Sequence, residues 1–269
     1  MKTFIHIPKT GGTTIVHTLS RQILYNRFQR LNPTRFTHPK DFLEKVEGLL
    51  ENVITSSHKI EVVGGHFGFA AHPKLSDPSQ HFTVLRDPIE RVISEYYYMK
   101  HKGMYYQHLI NNENLDLEDY IHHPEISYLN NLQTRLVAGE SYQSGDIVTE
   151  VVYSKALKNL KKFQVFGLTE QMSDTLALFY LTLGWKRLPY YLEANINDKR
   201  PRKEDVSEKA IMSIKEREKY DIMLYKEAKE IFNSKLMERE EEINRVIVRI
   251  LKPSYIYKFY LKALNKFFK

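Results

Sequence analysis

Cysteine is absent from the 269 residues, which excludes disulfides, thiolate-bound metal and a thiol nucleophile. A reducing compartment fits that absence. No apolar run reaches the ~20 residues that a membrane-spanning helix requires, and no apolar signal region with a small-residue cleavage site precedes the first strand-like run. The expectation is a soluble, unexported, cytoplasmic protein. Acidic residues are in deficit: 33 Asp and Glu against 40 Lys and Arg leave a formal net charge of +7. That balance favours anionic partners: nucleotides, acidic glycans, nucleic acid or a membrane surface. Repeats, low-complexity tracts and Pro/Gly linkers are missing too, so composition marks no domain boundary.

What is present is globular in character. Hydrophobic residues make up 42% of the chain and charged residues 27%, enough apolar surface for a sizeable core. The length suits one large α/β domain. Four β-rich runs, 2–7, 61–65, 81–85 and 164–167, are separated by stretches of helical spacing. Strands alternating with helices predict a three-layer, P-loop-like α/β fold with a central parallel sheet flanked by helices, and ligands at the carboxyl ends of the strands. Beyond Glu204, apolar Ile211, Ile214, Ile222, Tyr225, Ala228, Phe232 and Leu236 recur at helical intervals, predicting C-terminal helices that act as scaffold. The division expected is a main domain over 1–235 and a helical extension over 236–269.

The first run leads directly into His6-Ile7-Pro8-Lys9-Thr10-Gly11-Gly12-Thr13-Thr14 and then the apolar face Ile15, Val16, Leu19. A strand, a glycine turn and a helix start make an anion site: glycines allow close backbone approach, first-turn N–H groups and the helix dipole attract negative charge, and Lys9 adds a mobile cation. Lys9 precedes the glycines, whereas the Walker lysine follows them, which argues against an ordinary P-loop kinase. The third run ends in Arg86-Asp87-Pro88-Ile89-Glu90-Arg91-Val92-Ile93-Ser94. Asp87 is a good N-cap and Pro88 a good first helical residue. Arg86 at the strand tip can fork onto a phosphate, with the Ser94 hydroxyl two turns along.

These two motifs, in this order, resemble the sulfotransferases that use 3′-phosphoadenosine 5′-phosphosulfate (PAPS), and within them the carbohydrate group that includes the heparan sulfate 2-O- and 6-O-sulfotransferases. Weaker likenesses run through Asn131-Leu132-Gln133-Thr134-Arg135-Leu136, similar to a stretch of the 6-O group, Phe166-Gly167-Leu168-Thr169-Glu170, similar to a late strand-to-helix junction, and Lys199-Arg200-Pro201, similar to a basic loop closing over the nucleotide. The resemblance implies that Lys9 contacts the bridging and sulfonate oxygens, that Thr10, Gly11, Gly12, Thr13 and Thr14 cradle the 5′-phosphate, and that Arg86 and Ser94 clamp the 3′-phosphate, with Lys199 and Arg200 above. It makes Gln133 and Arg135 candidate acceptor contacts; for Arg135 a structural salt bridge stands equally beside that role. The implied product nucleotide is adenosine 3′,5′-bisphosphate, which carries two separated phosphates and matches two separated anion sites.

Sulfonate transfer to a hydroxyl needs a base beyond the sulfonate. His66, in Val62-Val63-Gly64-Gly65-His66-Phe67-Gly68, ends the second run amid glycines that leave room for an acceptor. It matches the Gly-His context of the heparan sulfate enzymes, although Gly64 stands where the 2-O enzymes have a second histidine. His6 reads mainly as packing. No metal is expected: adjacent His122 and His123 diverge on a helix, and Lys9 with backbone donors can neutralise a sulfonate. Residues 253–269 place Ile256, Phe259, Tyr260, Ala263, Leu264 and Phe267 opposite Lys258, Lys262, Lys266 and Lys269, suited equally to peripheral membrane contact or to docking on protein. No nucleic-acid motif is present. The rival readings are an ATP- or GTP-dependent small-molecule kinase and a non-catalytic nucleotide- or glycan-binding module.

Overall fold

Short runs rich in β-branched and aromatic residues build the sheet. In the computed structural model, which describes residues 1–23, 27–31, 39–56, 60–102, 104–140, 147–189, 201 and 203–251, these runs form β1 (Lys2–Ile5), β3 (Val62–Gly65), β4 (His81–Leu85) and β5 (Val165–Leu168), with β2 (Phe28–Leu31) alongside. All pair in parallel in the order β2-β3-β1-β4-β5. The near-continuous burial of β1, β3, β4 and β5 follows from coverage on both faces. Val62 joins a large apolar cluster with Phe4 and Phe82, whereas its neighbour Val63 joins a smaller one with Leu31, Val46, Leu50, Phe67 and Leu75. Successive strand residues point to opposite faces, and the large cluster takes both Phe4 and Ile5 and both Val84 and Leu85, so it covers both faces of the central strands, while the smaller one covers one face beside β2 and β3.

The sequence pattern missed β2. Its Gln29 and Arg30 are exposed and only Leu31 is buried, because a strand with one neighbour at the sheet edge is free to be polar. The chain runs from β1 to β2 and β3 on one side, then crosses β1 to reach β4 and β5 on the other. This reversal of direction at β1 opens a crevice at the carboxyl edge, the place where open parallel sheets bind ligands.

The helices are α1 (Gly12–Gln22), α2 (Pro39–Ser56), α3 (Pro88–Lys102), α4 (Met104–Asn112), α5 (Leu117–His122), α6 (Leu132–Ala138), α7 (Glu150–Lys162), α8 (Met172–Leu183), α9 (Glu208–Arg217), α10 (Lys219–Met237) and α11 (Glu240–Leu251). Asp87 caps α3 as its sequence suggests, accepting from the Glu90 N–H at 3.0 Å. In α9 and α10, Ile214, Ala228 and Phe232 are fully buried, as is Leu224. Beyond residue 236, α11 adds Ile243, Val246 and Ile250 to the large cluster and packs on α8. The amphipathic stretch 253–269 lies outside the described residues. Among the described residues, no helix is long and apolar enough to cross a membrane.

Helices α6 and α10 cap each other. The Asp221 carboxylate in α10 accepts from the Gln133 and Thr134 N–H groups at 3.1 and 2.7 Å. In return the Asn131 side-chain oxygen accepts from the N–H groups of Tyr220 and Asp221 at 2.8 and 3.0 Å. The start of each helix, which its own ladder cannot satisfy, is thus satisfied by the other. Arg91 from α3 lies against the same junction, fully buried, with Glu95 at 2.5 Å, Glu218 at 3.5 Å and Asp221 at 4.0 Å. Arg91 therefore belongs to the scaffold, although it sits in the motif that resembles a 3′-phosphate element.

Candidate active site

Four strand ends converge on one cavity of about 580 Å³, a volume in the range of nucleotide-sized sites. After β1 it is lined by His6, Pro8, Lys9, Gly11, Gly12, Thr13 and Thr14; from β2 by Arg30; after β3 by His66; after β4 by Arg86, with Ser94 and Tyr98 on α3; and after β5 by residues 169–174. The structure thus brings Lys9, His66, Arg86 and Ser94 together. It does so because parallel strands release their chains at the same edge.

The loop after β1 is held in an unusual shape. Gly11 has φ 76° and Lys9 φ 67°, a left-handed conformation that costs a residue with a side chain about 1–2 kcal/mol. Two contacts hold it there: Arg86 Nη1 donates to the Lys9 carbonyl at 3.0 Å, and the Thr169 hydroxyl donates to the Thr10 carbonyl at 2.8 Å. The Lys9 ammonium stands 3.9 Å from the centre of the Tyr98 ring. A Cβ on Gly12 would lie 2.0 Å from the His6 ring, so only glycine lets α1 begin at this point.

Thr10 does not join the lining. It is 1% exposed, and its hydroxyl donates to the Ile7 carbonyl at 2.9 Å, so its side chain braces the loop. The glycines beside His66 also have a different function from the one expected. A Cβ on Gly64 would press on Phe4 and Phe28, and one on Gly65 on the Leu31 carbonyl and Phe67. They permit tight packing of the sheet, and the room beside His66 comes from the crevice.

His66 is oriented by the backbone. Its Nδ1 lies 2.6 Å from the His6 carbonyl; a carbonyl only accepts, so Nδ1 carries the proton and Nε2 is the basic nitrogen. Burial, reinforced by the charge of Arg30 and opposed by the His6 carbonyl, lowers its pKa to about 4. The His6 ring packs 4.2 Å from that of His66, centre to centre. Burial holds His6 well below the ordinary histidine value too, with the His66, Arg30 and Lys9 charges acting in the same direction. Both rings are neutral near pH 7.

Arg86 is fixed on several sides. Its guanidinium lies 3.4 Å from Glu90 and 4.0 Å from Glu170. Glu170 also accepts from the Asp87 N–H at 3.1 Å and from the Tyr225 hydroxyl at 2.8 Å. Ser94 and Tyr98 fall one turn apart on α3 and reach the cavity on the same face.

Two expected acceptor contacts lie elsewhere. Gln133, 1% exposed, spends its amide on the Arg86 backbone. Arg135, 2% exposed, donates to the Asn130 carbonyl and side-chain oxygen at 2.9 and 2.7 Å. Neither lines the cavity, because each is buried and committed to a partner within the fold. Lys199 and Arg200 fall outside the described residues. Sequence reasoning missed Arg30, hidden in the unrecognised β2, and Tyr98, whose position four residues after Ser94 was the available signal. It also missed 171–174, the start of α8. Among the described residues no three His, Asp or Glu gather as a metal site.

The residues present suit a negatively charged donor: a glycine-opened helix start, a lysine, and an arginine with a serine at one crevice. Comparison with curated proteins finds no match. The model of the sulfotransferase family matches residues 3–259, nearly the whole chain. With that match over the same strand ends and the same cavity, the chain belongs to the sulfotransferase family, whose chemistry is the transfer of a sulfonate group from a donor to an acceptor.

Proposed function

We propose that the protein moves the sulfonate of PAPS onto a hydroxyl of a carbohydrate acceptor, with His66 as the base. The observation that carries this reading is the bond from Arg86 Nη1 to the Lys9 carbonyl, 3.0 Å. It ties the two anion-binding elements into one cavity, as a donor with two separated phosphates requires.

In this reading Gly11, Gly12, Thr13 and Thr14 hold the 5′-phosphate end, using N–H groups that the helix itself cannot satisfy. Arg86 and Ser94 hold the 3′-phosphate. PAPS supplies a sulfonate on a phosphate leaving group. Lys9, released from Tyr98, neutralises the charge that grows on the leaving oxygen. His66 Nε2 takes the acceptor proton, while Nδ1 keeps its own proton on the His6 carbonyl. A pKa of about 4 describes the cavity without ligand; a bound anionic donor raises it towards the operating pH, because opposite charge favours the protonated ring. The base thus becomes stronger once the donor is in place.

Arg30 lies on the His66 side of β1, away from Arg86 in the strand order. A guanidinium lining the cavity there favours an acceptor with an anionic group near its reactive hydroxyl. An acidic glycan fits this, consistent with the resemblance to the heparan sulfate enzymes.

Two measurements test the reading. Adenosine 3′,5′-bisphosphate should raise the melting temperature without magnesium and ATP should not; a shift with ATP that depends on magnesium would favour a kinase. PAPS carrying labelled sulfonate, incubated with neutral and acidic sugars, lipids and phenols, should label an acidic sugar. Labelling of a phenol alone would remove the carbohydrate acceptor.

A further inference from the structure

The amide of Gln133 is used up on a single backbone unit. Its Nε2 donates to the Arg86 carbonyl at 2.9 Å and its Oε1 accepts from the Arg86 N–H at 2.9 Å. This paired contact works as a neighbouring strand would, on Arg86, the residue that follows Leu85, the last paired residue of β4. The main chain of Gln133 is held as well, through its N–H on Asp221 at 3.1 Å. Asp221 is anchored in α10 and faces Arg91 of α3, so the clamp rests on the reciprocal cap of α6 and α10.

We propose that Gln133 is the positioning residue for Arg86: it fixes the peptide units on either side of Arg86, so that the guanidinium reaches the Lys9 carbonyl and faces the cavity. Without the clamp the strand tip is free to rotate, and Glu90 and Glu170 draw the guanidinium out of line. The cost then falls on recognition of the phosphate that Arg86 holds, while the Thr169 hydroxyl on the Thr10 carbonyl still holds the loop that carries Lys9. This inference rests on the assignment of Arg86 to the 3′-phosphate.

The test compares adenosine 3′,5′-bisphosphate with adenosine 5′-phosphate by calorimetric titration of the full chain. Arg86→Ala should weaken bisphosphate binding and leave the monophosphate nearly unchanged. Gln133→Met, similar in volume but unable to make either bond, should weaken bisphosphate binding about tenfold, the worth of roughly two modest hydrogen bonds, again sparing the monophosphate. In the Arg86→Ala background it should have no further effect. Gln133→Glu supplies a control that does not depend on packing. Its acid form donates and accepts as the amide does, so bisphosphate affinity relative to wild type at the same pH should recover as pH falls. If Arg86→Ala alters both nucleotides equally, the 3′-phosphate assignment fails. If Arg86→Ala discriminates between them and Gln133→Met does not, or if the two losses add, the positioning role alone is overturned.

Discussion

His66 combines three physical effects at one side chain: a fixed tautomer, a lowered basicity and a place in the cavity. His66→Ala should keep adenosine bisphosphate binding and lose transfer by about 10²–10⁴-fold, the usual worth of a positioned base; full turnover in that variant would remove the role. The same residue makes a stability prediction. Its folded pKa of about 4 lies below the ordinary 6.5, so between those values the unfolded chain binds a proton that the native chain does not. Stability therefore falls as pH drops from 6.5 towards 4. His6 and His81, also lowered by burial, act in the same sense. Urea midpoints of His66→Ala at pH 7 and pH 4.5 should differ less than those of the wild type. An unchanged difference would mean that the ring is not desolvated in solution.

At the scale of elements, the junction of α3, α6 and α10 sets the β4 tip. Asp221 caps α6 and faces Arg91, yet burial and the nearby Glu218 raise its pKa to about 6 against the pull of Arg91 and the Thr134 N–H. Its sign is opposite to that of His66: the native chain takes up this proton first, so this group favours the fold as pH falls from 6 towards 4. Asp221→Ala leaves two helix N–H groups and a buried guanidinium short of a partner. Breaking such a buried pair costs about 3–5 kcal/mol, measurable as a lowered urea midpoint. A loss below about 1 kcal/mol would show that the junction relaxes easily.

Across the whole molecule, one apolar core runs from the sheet into α11, so residues 240–251 are part of the fold. A chain ending at 251 keeps all three of the apolar contacts of α11, Ile243, Val246 and Ile250. One ending at 238 loses Ile243, Val246 and Ile250, each worth about 1.5–3 kcal/mol when fully buried, and should melt roughly 10 °C lower. Equal melting temperatures for both would mean that α11 contributes little to the core. The net charge of +7 belongs to this scale too. It draws anions to the molecule in general and by itself selects no site.

Periodicity, glycines and capping residues made much of this protein legible in one dimension. Runs of Val, Ile and Phe with helical stretches between them determined a parallel α/β sheet. The Lys9 to Thr14 segment and the Arg86-Asp87-Pro88 tip declared themselves because each is a local device, complete within a few residues. Strand β2 stayed hidden because Phe28-Gln29-Arg30-Leu31 has two polar residues at its centre and no apolar run. The fates of Thr10, Gln133, Arg91 and Arg135 were equally hidden, since a polar side chain looks the same in sequence whether it meets a ligand or a backbone far along the chain. Only tertiary structure decided that Gln133 is committed to the Arg86 backbone, that Arg91 is sealed among carboxylates and that Arg30 opens onto the cavity. The reason is that burial and partner choice depend on contacts between elements that no local pattern encodes.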